Sequence, residues 1–293
     1  MSTNELPPSE DLRAIRYRFD GPVAVVELHR PHRANAWNGT MHGELLDVMH
    51  ALEHRNDVRA VVITGTPPTF SVGGDSQALG DHAERGSYDT GLSEGTARPG
   101  GDLRKEFNED LSWMFGYQLP IIAAVNGAVA GVSFALACFC DLRFGSAPAK
   151  ITTAAPKLGL PAEYGLSWTL PRLIGHSRAT DLLLSGRMFA GADAAEWGLA
   201  SEALPAEKVL PRALALAEEI AVHAAPVSVG VSKRLLWRHA PEPTEINRLE
   251  RKLHLHLMGT ADSAEGVRAF MEKREPTWSL SPTEDWPAWL DEH

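Results

Sequence analysis

The chain has 293 residues, 28 basic and 38 acidic, for a formal net charge of −10. That balance provides no field for a phosphate backbone and excludes general nucleic-acid binding. With 44% hydrophobic and 23% charged residues, the composition is that of an ordinary globular protein. Two cysteines two positions apart, Cys138 and Cys140, exclude a disulfide scaffold and give no zinc-ligand spacing. No apolar run reaches the ~18–20 residues of a membrane span, and the start has neither the charge nor the apolar stretch of a signal peptide. A cytoplasmic protein that binds no membrane is the expectation.

Residues 1–12 are polar, hold Pro7-Pro8, and read as a flexible N-terminal tail. Arg13 to Phe19 and Val23 to Leu28, separated by Asp20-Gly21-Pro22, read as a hairpin. Met41, Leu45, Leu46, Met49 and Leu52 fall at helical spacing behind Asn38, an N-cap residue type. The β-branched run Val58 to Thr64 predicts a buried strand. A helix between two short strands favours a parallel arrangement, hence an α/β class.

Residues 80–102 carry little periodicity and are rich in glycine, serine, threonine and charge, as a functional lid or a disordered loop would be. Helical spacing resumes at Leu103 to Phe115. Pro120 to Val125 reads as a strand, Val132 to Phe139 as an apolar helix, and Asp141 to Phe144 as a further strand. From about Ala179 the pattern is helical. Ala206 to His223, Pro226 to His239, Thr244 to Gly259 and Ala261 to Arg274 each predict an amphipathic helix. The chain thus divides into a β/α core, 13–204, and a helical region, 205–293.

Three features carry candidate chemistry. Gly73-Gly74 directly follows a strand, and Gly127 and Gly131 end another and open a helix. Such loops can aim one backbone N–H each at a developing oxyanion. Glycines also serve ordinary strand-end turns, and spacing alone favours that simpler role. The third feature is Glu163, a lone carboxylate in the apolar stretch Ile151 to Leu170. Apolar surroundings disfavour the ionised form, which suits general acid/base work; a surface-loop glutamate fits the sequence equally well. No phosphate-cradling loop, dinucleotide fingerprint or nucleophile elbow occurs. His50 and His54 lie four apart on a helix, as a metal pair would, but no third ligand accompanies them.

In context, these loops resemble the crotonase (enoyl-CoA hydratase/isomerase) superfamily. Thr69-Phe70-Ser71-Val72-Gly73-Gly74-Asp75 is similar to its F-S-x-G-x-D loop. Pro120 to Asp141 is similar to its P-[VI]-I-A-A-V-N-G-x-x-x-G-x-x-x-x-L-A-x-x-C-D segment. Lys157 to Gly175, Arg30 to Ala36 and Phe270 to Arg274 also match. The resemblance implies a spiral ββα core with a C-terminal helical oligomerisation region. It also implies a coenzyme A thioester as substrate, with no separate cofactor and no metal. A homotrimer or homohexamer is implied as well.

The resemblance places a two-donor oxyanion hole at the N–H groups of Gly74 and Val132, the latter standing where glycine is usual. The two glutamates of the family's hydratases fall on Ala135 and Ala155. Glu163 aligns with a third acidic position, which makes it the candidate acid/base. CoA contacts are expected along Arg33, Ala34, Asn35 and Ala36, and from Gly73, Asp75 and Ser76. Lys273 is expected to face the CoA phosphates. Tyr164, Trp168 and the loop around His82, Glu84 and Tyr88 are expected to shape the acyl pocket. An acyl-CoA or C–C bond hydrolase, or a non-catalytic acyl-CoA-binding homologue, are the competing readings.

Overall fold

The computed structural model describes residues 4–75, 99, 111–237 and 243–290. Strands β1 (Ile15–Asp20) and β2 (Val23–Leu28) form the expected hairpin, with Ile15 opposite Leu28 and Asp20 opposite Val23. Helix α1 (Gly39–Glu53) starts where the sequence indicates, for the Asn38 side chain accepts from Met41 N at 3.0 Å. Its Glu44 carboxylate accepts the backbone N–H groups of Arg13, Ala14 and Ile15 at 2.8–3.0 Å and so fixes the entry to β1.

Strands β3 (Ala60–Gly65), β4 (Ile121–Val125), β6 (Leu142–Ser146) and β9 (Glu202–Leu204) extend the hairpin into a six-stranded sheet. The order is β1-β2-β3-β4-β6-β9, with every pair after the first parallel. β5 (Val129–Ala130), β7 (Lys150–Thr152) and β8 (Phe189–Ala190) make a second, three-stranded sheet.

Side chains alternate between the two faces of the large sheet. Val26, Val61, Ile63, Ile121 and Ala123 join one core, with Leu45 and Met49 of α1 and Leu136 of α3 (Gly131–Phe139). Val23, Val62, Ile122 and Phe144 face the other way, onto Val209, Ala213 and Ala217 of α7 (Ala206–His223). Burial on both faces explains the unbroken apolar runs that mark these strands in the sequence. Although α7 heads the segment assigned to the helical region, it packs as the second cover of the sheet.

Among the described residues, the other helices that precede α7 in the chain are α2 (Trp113–Gly116), α4 (Leu166–Ile174), α5 (His176–Ser185) and α6 (Gly191–Glu196). Only the end of the helix expected at 103–115 falls within the described residues. After α7 come α8 (Pro226–Trp237), α9 (Pro243–Met258) and α10 (Ala261–Glu272). The all-helical pattern read from Ala179 onward needs correction at β8 and β9. Two- and three-residue strands are too short to show a period of two.

The chain then returns along the core. Ser281 Oγ donates to Asn56 Oδ1 at 2.6 Å, and Thr283 Oγ1 donates to the Glu53 carbonyl at 2.9 Å. Among the described helices, none alone is long and apolar enough to cross a membrane.

Candidate active site

The C-terminal ends of β3 and β4 each run into a glycine loop, and backbone bonds draw the two loops together. Phe70 N and Ser71 N both donate to the Ala128 carbonyl at 3.1 Å, and Ala130 N donates to the Ser71 carbonyl at 3.1 Å. On its other side the first loop pairs with Trp37: Trp37 N donates to Gly73 O at 2.7 Å and Asp75 N to Trp37 O at 2.8 Å. In that bridge the N–H of Gly74, between the two bonding residues, faces away from Trp37. Val132 is the second residue of α3, so its N–H belongs to the first helical turn and has no intrahelical acceptor. Among the described residues, neither Gly74 N nor Val132 N has an acceptor.

The glycines around them differ in function. A Cβ on Gly73 would lie 2.7 Å from the Ala130 carbonyl oxygen, so its absence lets the two loops touch. Gly127 is also needed for contact, since a Cβ there would lie 2.1 Å from the Pro68 carbonyl oxygen. It closes the base of the loop pair rather than facing a ligand. Asn126 joins it there: its Nδ2 donates to Gly65 O at 2.9 Å and its Oδ1 accepts Gly65 N at 3.2 Å.

The segment Arg33–Ala36 lies against this centre. Asn35 is fully buried and in the left-handed conformation, φ 56°. Its Oδ1 accepts Arg30 N, its Nδ2 donates to Thr66 O and Thr69 O, and its own N–H donates to Arg30 O. The Asn35 side chain is therefore a brace inside the loop. The Asp75 carboxylate is likewise engaged. It is buried and pairs with Arg30 at 3.0 Å and Arg33 at 2.8 Å. That bond strengthens the protonated form of Arg33, whose side chain remains partly exposed. Ala34 carries φ 48° and leaves its carbonyl to Val72 N. Ala36 is buried, and its carbonyl accepts Arg30 Nη1.

Glu163 sits half-buried in the turn between the 3-10 segment Ala155–Leu158 and α4. Tyr164 follows with φ 52°, and Gly165 packs so tightly on the Phe139 ring that a Cβ would stand 2.9 Å from it. Phe139 stacks on Phe115 at 4.6 Å, Phe115 on Trp237 at 4.0 Å, and Trp168 tilts against Phe115 at 5.5 Å. An aromatic bed thus underlies the Glu163 turn, with the Arg172 guanidinium 3.8 Å from the centre of the Trp168 ring. Ala135 and Ala155 are buried and put methyl groups where the resemblance expects carboxylates.

Lys273 is exposed at the left-handed cap of α10 with φ 55°. Ser76, His82, Glu84, Tyr88 and nearly all of the 80–102 loop lie outside the described residues. Burial pushes the Cys138 thiol up to about 12, which suits a packing residue. His54 Nδ1 contacts the His50 carbonyl at 2.8 Å, and no metal cluster occurs among the described residues.

Sequence reasoning passes over Ser71 and Ser133. Both are fully buried, and their hydroxyl oxygens lie 2.6 Å apart. Their only signal is position: each stands within two residues of a glycine that shapes the centre.

The sequence pattern described as Enoyl-CoA hydratase/isomerase matches residues 18–281. A probable enoyl-CoA hydratase of Rhodobacter capsulatus is 35% identical over 266 residues, 89% of this chain and 96% of its own. The 1,2-epoxyphenylacetyl-CoA isomerase of Escherichia coli is 30% identical over 263 residues, 88% and 95% of the two chains. The crystal structure of a probable enoyl-CoA hydratase/isomerase from Mycobacterium abscessus aligns with a TM-score of 0.78 at 34% identity. That alignment covers 90% of this chain and 98% of the other. A glycine-loop pair at the ends of β3 and β4, a helix opening at the second loop and a match over nine-tenths of the sequence converge. The chain belongs to the enoyl-CoA hydratase/isomerase family of the crotonase superfamily and is an enzyme of that family.

Proposed function

We propose that this enzyme acts on an acyl-CoA thioester by forming its enolate, with Gly74 N and Val132 N as oxyanion donors and Glu163 as acid/base. The observation that carries the reading is the meeting of two strand-end loops that leave these N–H groups without an acceptor among the described residues. The Glu163 carboxylate takes a proton from the α- or γ-carbon. The C–H electron pair forms a C=C bond and the carbonyl π pair moves to oxygen, where the two N–H groups stabilise the charge. Return of the proton to another carbon gives an isomer and regenerates the carboxylate. One such donor is worth about 3 kcal/mol in systems of this type.

A single carboxylate suffices to relocate a proton. Adding water also requires a group that orients and deprotonates it, and Ala135 and Ala155 cannot do so. Isomerisation is therefore favoured over two-glutamate hydration, as the name of the E. coli relative also suggests.

In this reading CoA lies along Arg33–Ala36 and Gly73–Ser76, and Tyr164 and Trp168 line the acyl side. Lys273 meets the CoA phosphates from a neighbouring subunit. Val267, Phe270 and Met271 leave an exposed apolar face on α10, which a trimer or hexamer would cover. The enzyme needs no cofactor beyond its substrate, and its setting is cytoplasmic fatty-acid metabolism.

The test is an acyl-CoA panel in D2O, with exchange followed by NMR and products by mass spectrometry. Glu163→Gln should lower turnover by at least about 10². An unchanged rate sinks the assignment, and stoichiometric release of free CoA would make the protein a hydrolase.

A further inference from the structure

Ser71 and Ser133 join the two loops through their side chains, and the direction of each bond can be assigned. Ser71 Oγ lies 2.6 Å from the Asn35 carbonyl, which only accepts, so Ser71 must give it its one proton. The 2.6 Å contact between the two hydroxyls then has Ser133 as donor. The Ser71 oxygen also faces Gly73 N at 3.4 Å. The result is a directed relay, Ser133 to Ser71 to Asn35, with every member fully buried. It ties the first turn of α3, the Gly73–Gly74 loop and the Arg33–Ala36 segment at one point. Ser133 directly follows Val132, and Ser71 lies three residues before Gly74. The backbone bonds between the loops involve Phe70, Ser71 and Ala130, all on the strand side of the two N–H groups. Of the tethers named, the hydroxyl pair is the one that reaches the helical turn carrying Val132 N.

We infer that Ser133 is a positioning residue that, through Ser71, holds the Gly74 and Val132 N–H groups at the separation enolate stabilisation requires. This rests on the oxyanion reading above. The experiment measures α-proton exchange of butyryl-CoA and phenylacetyl-CoA in D2O, with kcat, KM and Tm for each variant.

Ser133→Ala should lower the kcat for exchange roughly ten- to a hundred-fold, as for sub-ångström misplacement of a catalytic group, with KM within about threefold. Ser133→Cys, nearly isosteric with a weaker donor, should fall between Ala and wild type. Because the hydroxyls act in series, Ser71→Ala/Ser133→Ala should lose no more kcat than Ser71→Ala, within about twofold. A lowered Tm with wild-type kcat in Ser133→Ala would make the pair merely structural and overturn the inference. Should Ser133→Ala not fold, the Cys variant decides: reduced kcat at constant KM supports the inference, and unchanged kcat overturns it. Wild-type protein that exchanges no α-proton from any acyl-CoA would instead refute the function reading, and this inference with it.

Discussion

Gly73→Ala combines two penalties. The first is conformational. Gly73 has φ +86°, well beyond the 48–58° at which Ala34, Asn35, Tyr164, Lys273 and Ala154 adopt the left-handed region. An L side chain there costs about 1–2 kcal/mol. The second is steric. The new Cβ would stand 2.7 Å from Ala130 O and 3.1 Å from Ala130 C, both backbone atoms at the mouth of α3. Ordinary contact begins at 3.4 Å, so the loops must part by about 0.7 Å. Overpacking of this kind costs about 1–3 kcal/mol, for a combined loss of about 2–5 kcal/mol. For a chain of this size that is a fall in Tm of about 3–8 °C.

The displacement falls between Gly74 N and Val132 N, so turnover should drop by an order of magnitude or more. Gly21→Ala is the control. Gly21 has φ +55° in the β1–β2 turn and nothing within 4 Å of the added methyl. It should lose stability without losing rate. Thermal melts and acyl-CoA turnover on both variants decide the matter. A Gly73→Ala enzyme whose Tm and turnover match those of Gly21→Ala would refute the claim that glycine here serves loop contact.

Three further outcomes follow from the same geometry. Lys233 is buried and pairs with Asp141 at 2.7 Å while donating to Leu119 O at 2.9 Å. Lys233→Met should destabilise the fold by about 3–5 kcal/mol, read by urea unfolding, since it leaves a carboxylate short of its cation. Glu44→Ala removes the acceptor of three N–H groups at the start of β1 and should cost about 1–3 kcal/mol, with little effect on catalysis. Glu265 is held at about 2, against an ordinary 4.5, first by the Arg274 guanidinium and then by Thr277 N. Between those values the unfolded chain binds the proton more readily than the folded one. Its stabilisation is therefore complete above pH 4.5 and disappears as the pH falls through about 2. Melts of Glu265→Gln across that interval should show a flatter pH dependence than wild type.

What the sequence discloses follows the physics of each element. Strands buried on both faces, such as Ala60–Gly65 and Ile121–Val125, are legible because nearly every residue must be apolar. Helix α1 is legible because Asn38 satisfies its first turn. The short strands β5, β7, β8 and β9 are not, because two or three residues carry no period and are set by the neighbours they pair with. At the site, the glycine loops stand out as composition, but the division of labour among them does not. Whether a glycine permits a contact or a dihedral angle depends on a segment dozens of residues away, as Gly127 depends on Pro68. Asn35 and Asp75 stand out from the motif, but the bonds their side chains make within the loop do not. The serine pair lies 62 residues apart in the chain and becomes visible only when the loops close.

That division of labour explains how valine can stand at position 132. Gly73 and Gly127 are required by space: each would drive a methyl group into a carbonyl oxygen. Gly131 is required by conformation, since its φ is +51° and its nearest neighbour, Gly73 Cα, is 3.9 Å from the virtual Cβ. Position 132 faces neither demand. It is already in helical geometry, outside the set of residues with positive φ, and its buried side chain joins the main core. A side chain added there leaves the direction of its N–H unchanged, because that direction is set by the helical turn. What changes is the lining beside that N–H, where isopropyl replaces hydrogen. On the oxyanion reading proposed above, substitution at this position acts on which acyl groups fit, while substitution at Gly73 acts on whether the two donors meet at all.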